Sequence, residues 1–310
     1  MVLRVAVCFI FSLFSLCAFA QNCSEIEQVL ENPKHAKVLK SAEEGNNLAQ
    51  LMLGRAYECR GEFEDAAMWY RKSADRGNEA AQTNLGAMYT EGRGVKKDEV
   101  EAFKLFARAA SRGFAPAQNN LAILFGAGRG VKQSDEAAHH WFSRAASQRY
   151  YPSYAPLAAQ YMWGRGVSAD PAMALKYAKE GAEHGEVQAE EYLAWMYAKG
   201  EAVSKDVKKA LEWYQKAAAQ GSALAENNLG FLYERGGIDG PDLTLATQWY
   251  RRAAEHGLAQ AEFNLGLMYR DGRGVEKNVD ESRKWLERAA AHGYRPAGFA
   301  IASSETAGLQ

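Results

Sequence analysis

Residues 81–113 read AQTNLGAMYTEGRGVKKDEVEAFKLFARAASRG and contain the pattern on which most of this chain is built. Ala81, Leu85 and Tyr89 recur every four residues, which places them on one face of a helix. Gly92 follows where a left-handed C-terminal cap is expected. The first half of the segment is therefore predicted to be a helix that ends in a tight turn.

The second half of the segment predicts another helix. It begins after Asp98, whose side chain can accept from the first free amides, and Glu101 completes a capping box. The predicted buried face comprises Ala102, Leu105, Phe106, Ala109 and Ala110. Gly113 ends this helix, so the segment encodes one pair of helices.

The same helix pair recurs with a period of 36 residues. A core leucine of the first helix, followed four residues later by Tyr or Phe, is found at Leu85, Leu121, Leu157, Leu193, Leu229 and Leu265. A large residue of the second helix is found at Trp69, Leu105, Trp141, Tyr177, Trp213, Trp249 and Trp285. The predicted N-cap recurs at Asp98, Ser134, Asp170, Asp206, Asp242 and Asn278. Equal periods over seven copies indicate one unit stacked on itself, which predicts an all-α solenoid.

Residues 1–20 have the features of a cleaved export signal. Arg4 precedes an apolar run from Val5 to Leu16, and the segment 18–20 (Ala-Phe-Ala) supplies small residues before Gln21. A membrane anchor is the competing interpretation, but the run is shorter than the roughly 20 residues that a spanning helix needs. We expect an exported protein, periplasmic or secreted, without an integral membrane segment.

Charge and cysteine content narrow the possible partners. With 37 Lys and Arg against 38 Asp and Glu, the formal charge is −1, and loss of Arg4 with the signal makes it −2. Such a chain has no electrostatic footprint for nucleic acid or anionic lipid. Signal removal leaves Cys23 and Cys59, which in an exported protein form either one disulfide or two free thiols.

The sequence contains no recognisable catalytic or metal-binding motif. Segments such as 128–130 (Gly-Arg-Gly) follow helices rather than strands, which indicates helix stops rather than phosphate loops. There is no H-E-x-x-H, paired C-x-x-C or G-x-S-x-G. His184, His256 and His292 share one repeat position near a helix end, where a cation complements the helix dipole. We expect no enzyme activity, no cofactor and no metal.

The pattern A-x-x-x-L-G-x-x-Y-x-x-G-x-G-V, followed by A-x-x-W-[YFL]-x-x-A-A-x-x-G, resembles the Sel1-like repeat, a relative of the tetratricopeptide repeat. The resemblance covers about residues 45–302. It implies a right-handed α/α superhelix that holds other proteins together. The expected divisions are an N-terminal helical cap (21–45), seven repeats (46–295) and a C-terminal capping half-repeat (296–310).

The resemblance also implies a concave face lined by the first helices. If the repeats pack as in tetratricopeptide proteins, the residue two after each core leucine projects into that face. Repeats two to four have Ala87, Ile123 and Ala159 there, whereas repeats five to seven have large apolar residues. The predicted partner-binding residues are Tyr192, Trp195, Asn228, Phe231, Asn264 and Leu267.

Two interpretations of these residues are open. The apolar side chains form a partner site, as contiguous apolar patches often do, or they pack against the neighbouring first helix. The asparagines bind a partner's backbone, or they brace adjacent repeats. Asparagine is a poor helix former, so its recurrence needs one of these reasons.

The expected function is a monomeric, non-enzymatic scaffold that binds a segment or helix of another exported or envelope protein. One alternative is an envelope enzyme acting on the cell wall or on β-lactams, as some cysteine-rich Sel1-like proteins do. This chain has no S-x-x-K or K-T-G and lacks a cysteine pair in each repeat, which argues against it. A structural spacer without a specific partner is the other alternative.

Overall fold

The computed structural model describes Cys23 and residues 34–307, with the backbone alone for residues 34–35 and 302–307. Within these residues the chain forms sixteen α-helices and one 3-10 turn, and no β-strand. It divides into an N-terminal body up to Asp170 and a C-terminal body from Pro171. The predicted export signal lies outside the described residues.

The N-terminal body consists of stacked helix pairs. It begins with α1 (Lys34–Glu43), which packs on the first helix of repeat one. The pairs are α2 (Asn47–Cys59) with α3 (Phe63–Asp75), α4 (Glu79–Glu91) with α5 (Glu99–Ser111), and α6 (Ala115–Ala127) with α7 (Asp135–Ser147). The 3-10 turn (Tyr151–Ser153) and α8 (Tyr154–Trp163) complete this body.

The C-terminal body repeats this arrangement. It begins with α9 (Pro171–Glu183) and ends with α16 (Arg295–Ala307). The pairs between them are α10 (Val187–Lys199) with α11 (Val207–Ala219), α12 (Ala223–Arg235) with α13 (Leu243–Glu255), and α14 (Ala259–Asp271) with α15 (Val279–Ala291). Each second helix also packs on the first helix of the next pair. The all-α repeat fold is therefore confirmed.

The core of each body is formed by the residues that repeat every 36 positions. All six core leucines, from Leu85 to Leu265, are at most 3% exposed, and the predicted face of α5 is buried. Glycine next to the core leucine lets a ring of the second helix lie on the first helix. A Cβ on Gly86 would lie 2.7 Å from the ring of Phe106, and one on Gly230 would lie 2.7 Å from that of Tyr250. Close packing therefore explains why small residues recur there.

The second helices begin at the predicted N-caps. Five of the six side chains are seen to accept backbone hydrogen bonds: Asp98, Ser134, Asp206, Asp242 and Asn278. Only half of the predicted capping box forms: the Glu101 N–H donates to Asp98 Oδ1 at 3.0 Å, but the Glu101 carboxylate pairs with Lys104 at 3.1 Å. The Asp98 N–H donates instead to the Tyr89 carbonyl, so the preceding first helix satisfies that amide.

In repeats two, three, four and seven, the loop between the two helices lies against the preceding repeat. Gly92 has the predicted left-handed conformation, with φ 74°. Two residues later, a Cβ on Gly94 would overlap the carbonyl of Phe63, the first residue of α3. The second glycine of the G-R-G segment is therefore required by close backbone approach, as well as by its positive φ.

The arginine of the G-R-G segment reaches a carboxylate of the preceding repeat. Arg93 lies 3.3 Å from buried Glu58, which also accepts a 2.6 Å hydrogen bond from Tyr70 Oη. Burial raises the pKa of Glu58. In the C-terminal body the corresponding set is Arg273, Glu234 and Tyr250, with distances of 2.9 and 2.6 Å to the carboxylate. These sets fasten consecutive repeats within each body.

Repeat four begins irregularly, and its first helix contains Pro156, which lacks a backbone amide hydrogen. Its first helix, α8, has 10 residues and follows a 3-10 turn, whereas the other first helices of the repeats have 13. Arg149 precedes this turn with φ 59°, at a position where the other repeats have glycine. Both changes alter the entry into α8.

Cys23 and Cys59 form a disulfide bond in the structure. Cys59 is the last residue of α2, so the bond attaches the chain that precedes α1 to repeat one. Disulfides of this kind are typical of oxidising compartments. Among the described helices, none is both long enough and apolar enough to cross a membrane.

Candidate functional site

The first helices of the C-terminal body share a surface on which an apolar residue recurs once per repeat, followed four residues later by a cation in α10 and α12 and by Asp271 in α14. We call it the first-helix face and define it by six residues: Trp195, Lys199, Asn228, Phe231, Arg235 and Leu267. Phe231 is 41% exposed, and the Arg235 guanidinium lies 5.3 Å from the centre of its ring. Trp195 and Leu267 are half-buried. Phe231 is thus the most accessible apolar residue of this face.

Tyr192 and Trp195 stack on each other on α10. Their ring centres are 5.4 Å apart and their planes differ by 18°. Tyr192 is only 1% exposed, and Trp195 packs against a cluster that includes Ala225 and Leu229 of α12. Tyr192 therefore packs against the Trp195 ring and is itself too buried to contact a partner. Trp195 combines packing between adjacent first helices with partial exposure.

The predicted asparagines have different roles. Asn264 Nδ2 donates to Asn227 Oδ1 at 3.0 Å, which links α14 to α12. Asn228 is half-buried, and its amide makes no hydrogen bond within the described part of the chain. Bracing thus accounts for Asn264, whereas the side chain of Asn228 is available to a partner.

The corresponding residues of repeats two and three do not project from the molecule. Ala87 is 1% exposed and Ile123 is 6% exposed, so the projection expected for Ile123 is wrong.

Two buried carboxylates of the C-terminal body are each held by a histidine and an arginine, an arrangement that sequence reasoning missed. Glu226 is 0% exposed and lies 2.8 Å from His256 Nδ1 and 3.0 Å from Arg252. Glu262 repeats this geometry with His292 at 2.8 Å and Arg288 at 3.0 Å. These histidines therefore pair with buried carboxylates of the preceding first helix, in addition to their place at a helix end.

A sequence signal for these pairs exists. In the N-terminal body the equivalent of Glu226 is Gln118, and Gln148 donates to its side chain at 2.8 Å. Glu190 likewise accepts from Gln220 at 2.9 Å. Each pair is separated by 30 residues. Comparison of polar residues 30 positions apart could have found them.

Glu191 is a buried carboxyl beside the start of α12. Ser222 Oγ donates a hydrogen bond to it, while Ser222 also caps α12. Burial raises the pKa of Glu191 to about 7, with a further contribution from the charge of Glu190. Burial also raises the pKa of Tyr214, which Glu191 faces. The Glu191 carboxyl is therefore partly protonated at neutral pH. No set of His, Cys, Asp and Glu side chains in the described residues is arranged to hold a metal ion.

Consecutive helix pairs with buried leucines, capped second helices and glycine loops define the class of α/α repeat proteins. The sequence matches the Sel1 repeat at 47–78, 79–114, 115–150, 157–186, 187–222, 223–258 and 259–294. Because these matches cover well over half of the chain, the protein belongs to the Sel1 repeat family. Sel1 repeats commonly form protein-interaction scaffolds and are generally non-catalytic.

Solved structures similar to this chain include two from bacteria. A Sel1 repeat protein from Oxalobacter formigenes is 32% identical, with a TM-score of 0.69 over 77% of this chain and 98% of that chain. A protective antigen of uropathogenic Escherichia coli with an SLR fold is 28% identical, with a TM-score of 0.57 over 86% of this chain. The present chain covers 66% of that antigen's length. No curated protein matches the chain.

Proposed function

We propose that this protein is a non-enzymatic scaffold of the periplasm or cell envelope that binds a segment of another exported protein on the first-helix face. The observation that carries the proposal is the exposed ring of Phe231, flanked at equivalent positions by Trp195 and Leu267. Aromatic side chains in such settings supply much of the energy of protein association. The disulfide and the signal-like residues 1–20 support an extracytoplasmic location.

The polar groups of the face suit a peptide partner. The Asn228 amide offers two donor hydrogens and one acceptor, which match the carbonyls and N–H groups of an extended backbone. It lies three residues before Phe231 on α12, so both side chains lie on one side of the helix. A peptide can therefore make an apolar contact and a backbone hydrogen bond at one place.

Site-specific photocrosslinking in cells tests this function. A photoreactive residue at Gln260 of α14, seven positions before Leu267, lies on the same side of that helix. We expect it to capture an exported protein, and Phe231→Ala to abolish the product. The control position is Lys208, an exposed residue of second helix α11. Equal capture from both positions, or capture that persists with Phe231→Ala, contradicts the proposal.

A further inference from the structure

The carboxylates of α10, α12 and α14 are all buried or paired within the molecule. Glu190 accepts from Gln220 and Glu191 accepts from Ser222, while Glu226 and Glu262 are held by histidine and arginine. Glu234 pairs with Arg273, and Asp271 pairs with Arg270 through hydrogen bonds of 2.7 and 3.1 Å. These helices therefore present no exposed, unpaired carboxylate on the first-helix face.

The cations of the same three helices are not all compensated. Arg270 is paired with Asp271, but Lys199 and Arg235 form no ion pair within the described residues. Both are exposed, and they occupy the same position in consecutive repeats, 36 residues apart. Each lies four residues after an apolar residue of the face, Lys199 after Trp195 and Arg235 after Phe231. The face thus combines apolar anchors with unpaired positive charge.

We propose that the segment bound on the first-helix face is an acidic peptide in which a carboxylate neighbours a bulky apolar side chain. This inference rests on the proposed function and specifies its partner. The apolar side chain contacts Phe231, and the carboxylate pairs with Arg235, whose guanidinium is already positioned beside that ring. A second carboxylate reaches Lys199 on the adjacent first helix.

A peptide suits this face better than another polyanion. The chain as a whole has a formal charge of −1, which gives no general attraction for nucleic acid. The exposed ring of Phe231 and the free amide of Asn228 add contacts that a phosphate backbone alone does not use. The favourable charge is local, so complementarity selects an acidic segment rather than any anionic surface.

Selection from a random peptide library displayed on phage tests the inference with the full chain. We expect the recovered peptides to have Asp or Glu beside Trp, Phe, Leu or Ile. For a recovered peptide made synthetically, Phe231→Ala should weaken binding about thirtyfold. Arg235→Gln should weaken it about fivefold at low salt and less at high salt, because salt screens the ion pair.

Matched controls come from the second helices of the same body. Val279→Ala removes another exposed apolar side chain, and Arg283→Gln removes another exposed cation. Neither should change affinity appreciably. Peptides that depend on Phe231 but lack acidic residues overturn this inference and leave the proposed function standing. A single-stranded oligonucleotide that displaces the peptide equally well also overturns the inference. Peptides insensitive to both face variants, or no peptide recovered above background, contradict the inference and the proposed function together.

Discussion

Phe231 and Trp195 occupy the same repeat position, yet their surroundings differ. Phe231 is 41% exposed, whereas Trp195 is half-buried against Tyr192 and the cluster around Leu229. We therefore expect Phe231→Ala to reduce partner affinity by about 2 kcal/mol or more while leaving the urea midpoint nearly unchanged. Trp195→Ala should lower both the partner affinity and the urea midpoint, with a stability loss of about 2 kcal/mol. Titration calorimetry and urea unfolding measure the two effects. Equal stability losses would show that Phe231 is a packing residue.

Arg149 adopts φ 59° where other repeats have glycine, such as Gly221 at φ 87°. A non-glycine residue in the left-handed region costs about 1 kcal/mol, which the greater unfolded-state freedom of glycine partly offsets. Arg149→Gly should therefore raise stability by about 0.5 kcal/mol. Gly221→Ala, where a Cβ meets no atom within 4 Å, should lower it by about 1 kcal/mol through backbone conformation alone. Thermal unfolding compares them, and a loss of stability in Arg149→Gly would refute the argument.

At the scale of the element, the buried pair Glu226–His256 joins α12 to α13. His256→Ala removes one of two partners of a fully buried carboxylate, so it should cost about 1 to 3 kcal/mol. The double variant Glu226→Gln with His256→Gln reproduces the Gln118–Gln148 pair of the N-terminal body and should cost less than about 1 kcal/mol. A double-mutant cycle by urea unfolding measures the coupling. If the stability losses of the single variants add up to that of the double variant, Glu226 and His256 contribute independently of each other.

Glu191 predicts a pH dependence of the contact between α10 and α12. Its folded-state pKa of about 7 is raised from an ordinary 4.5, so folding favours the protonated form. The resulting stabilisation is fully present below about pH 4.5 and is lost as pH rises through about 7, by on the order of 3 kcal/mol. Glu191→Gln, which stays neutral, should reduce the loss of stability between pH 5 and 8. An unchanged pH profile would contradict burial as the cause.

At the scale of the whole molecule, the Cys23–Cys59 bond closes a sequence separation of 36 residues. Replacing both cysteines with serine should destabilise the N-terminal helices by about 3 kcal/mol, because the unfolded chain regains loop freedom. Hydrogen exchange should show the loss in α1 and α2 and leave α12 to α15 unaffected, since repeat stability is local. Protein isolated without reductant should label at neither thiol. Two labelled thiols per chain would refute the bond in solution.

The 36-residue period was sufficient to predict the helix pairs, their buried leucines and their N-caps. These features depend on residues close in sequence, because a helix face and a cap are set by local spacing. The shortened α8 was also predictable, since Pro156 lacks the amide that a regular helix needs. The candidate face was implied by the resemblance to tetratricopeptide proteins, and the period supplied the equivalent residue of each repeat.

Only the tertiary structure decided what each side chain on that face contacts. The period treats Trp195, Phe231 and Ile123 as equivalent, but neighbouring helices bury Ile123, half-bury Trp195 and leave Phe231 exposed. Likewise, the Asn264–Asn227 link and the Glu226–His256 pair join residues 37 and 30 positions apart. Burial and pairing across repeats depend on the sizes of side chains from several helices at once. The sequence period therefore determines the repeated unit. The packing between units determines which residues of that unit remain available to a partner.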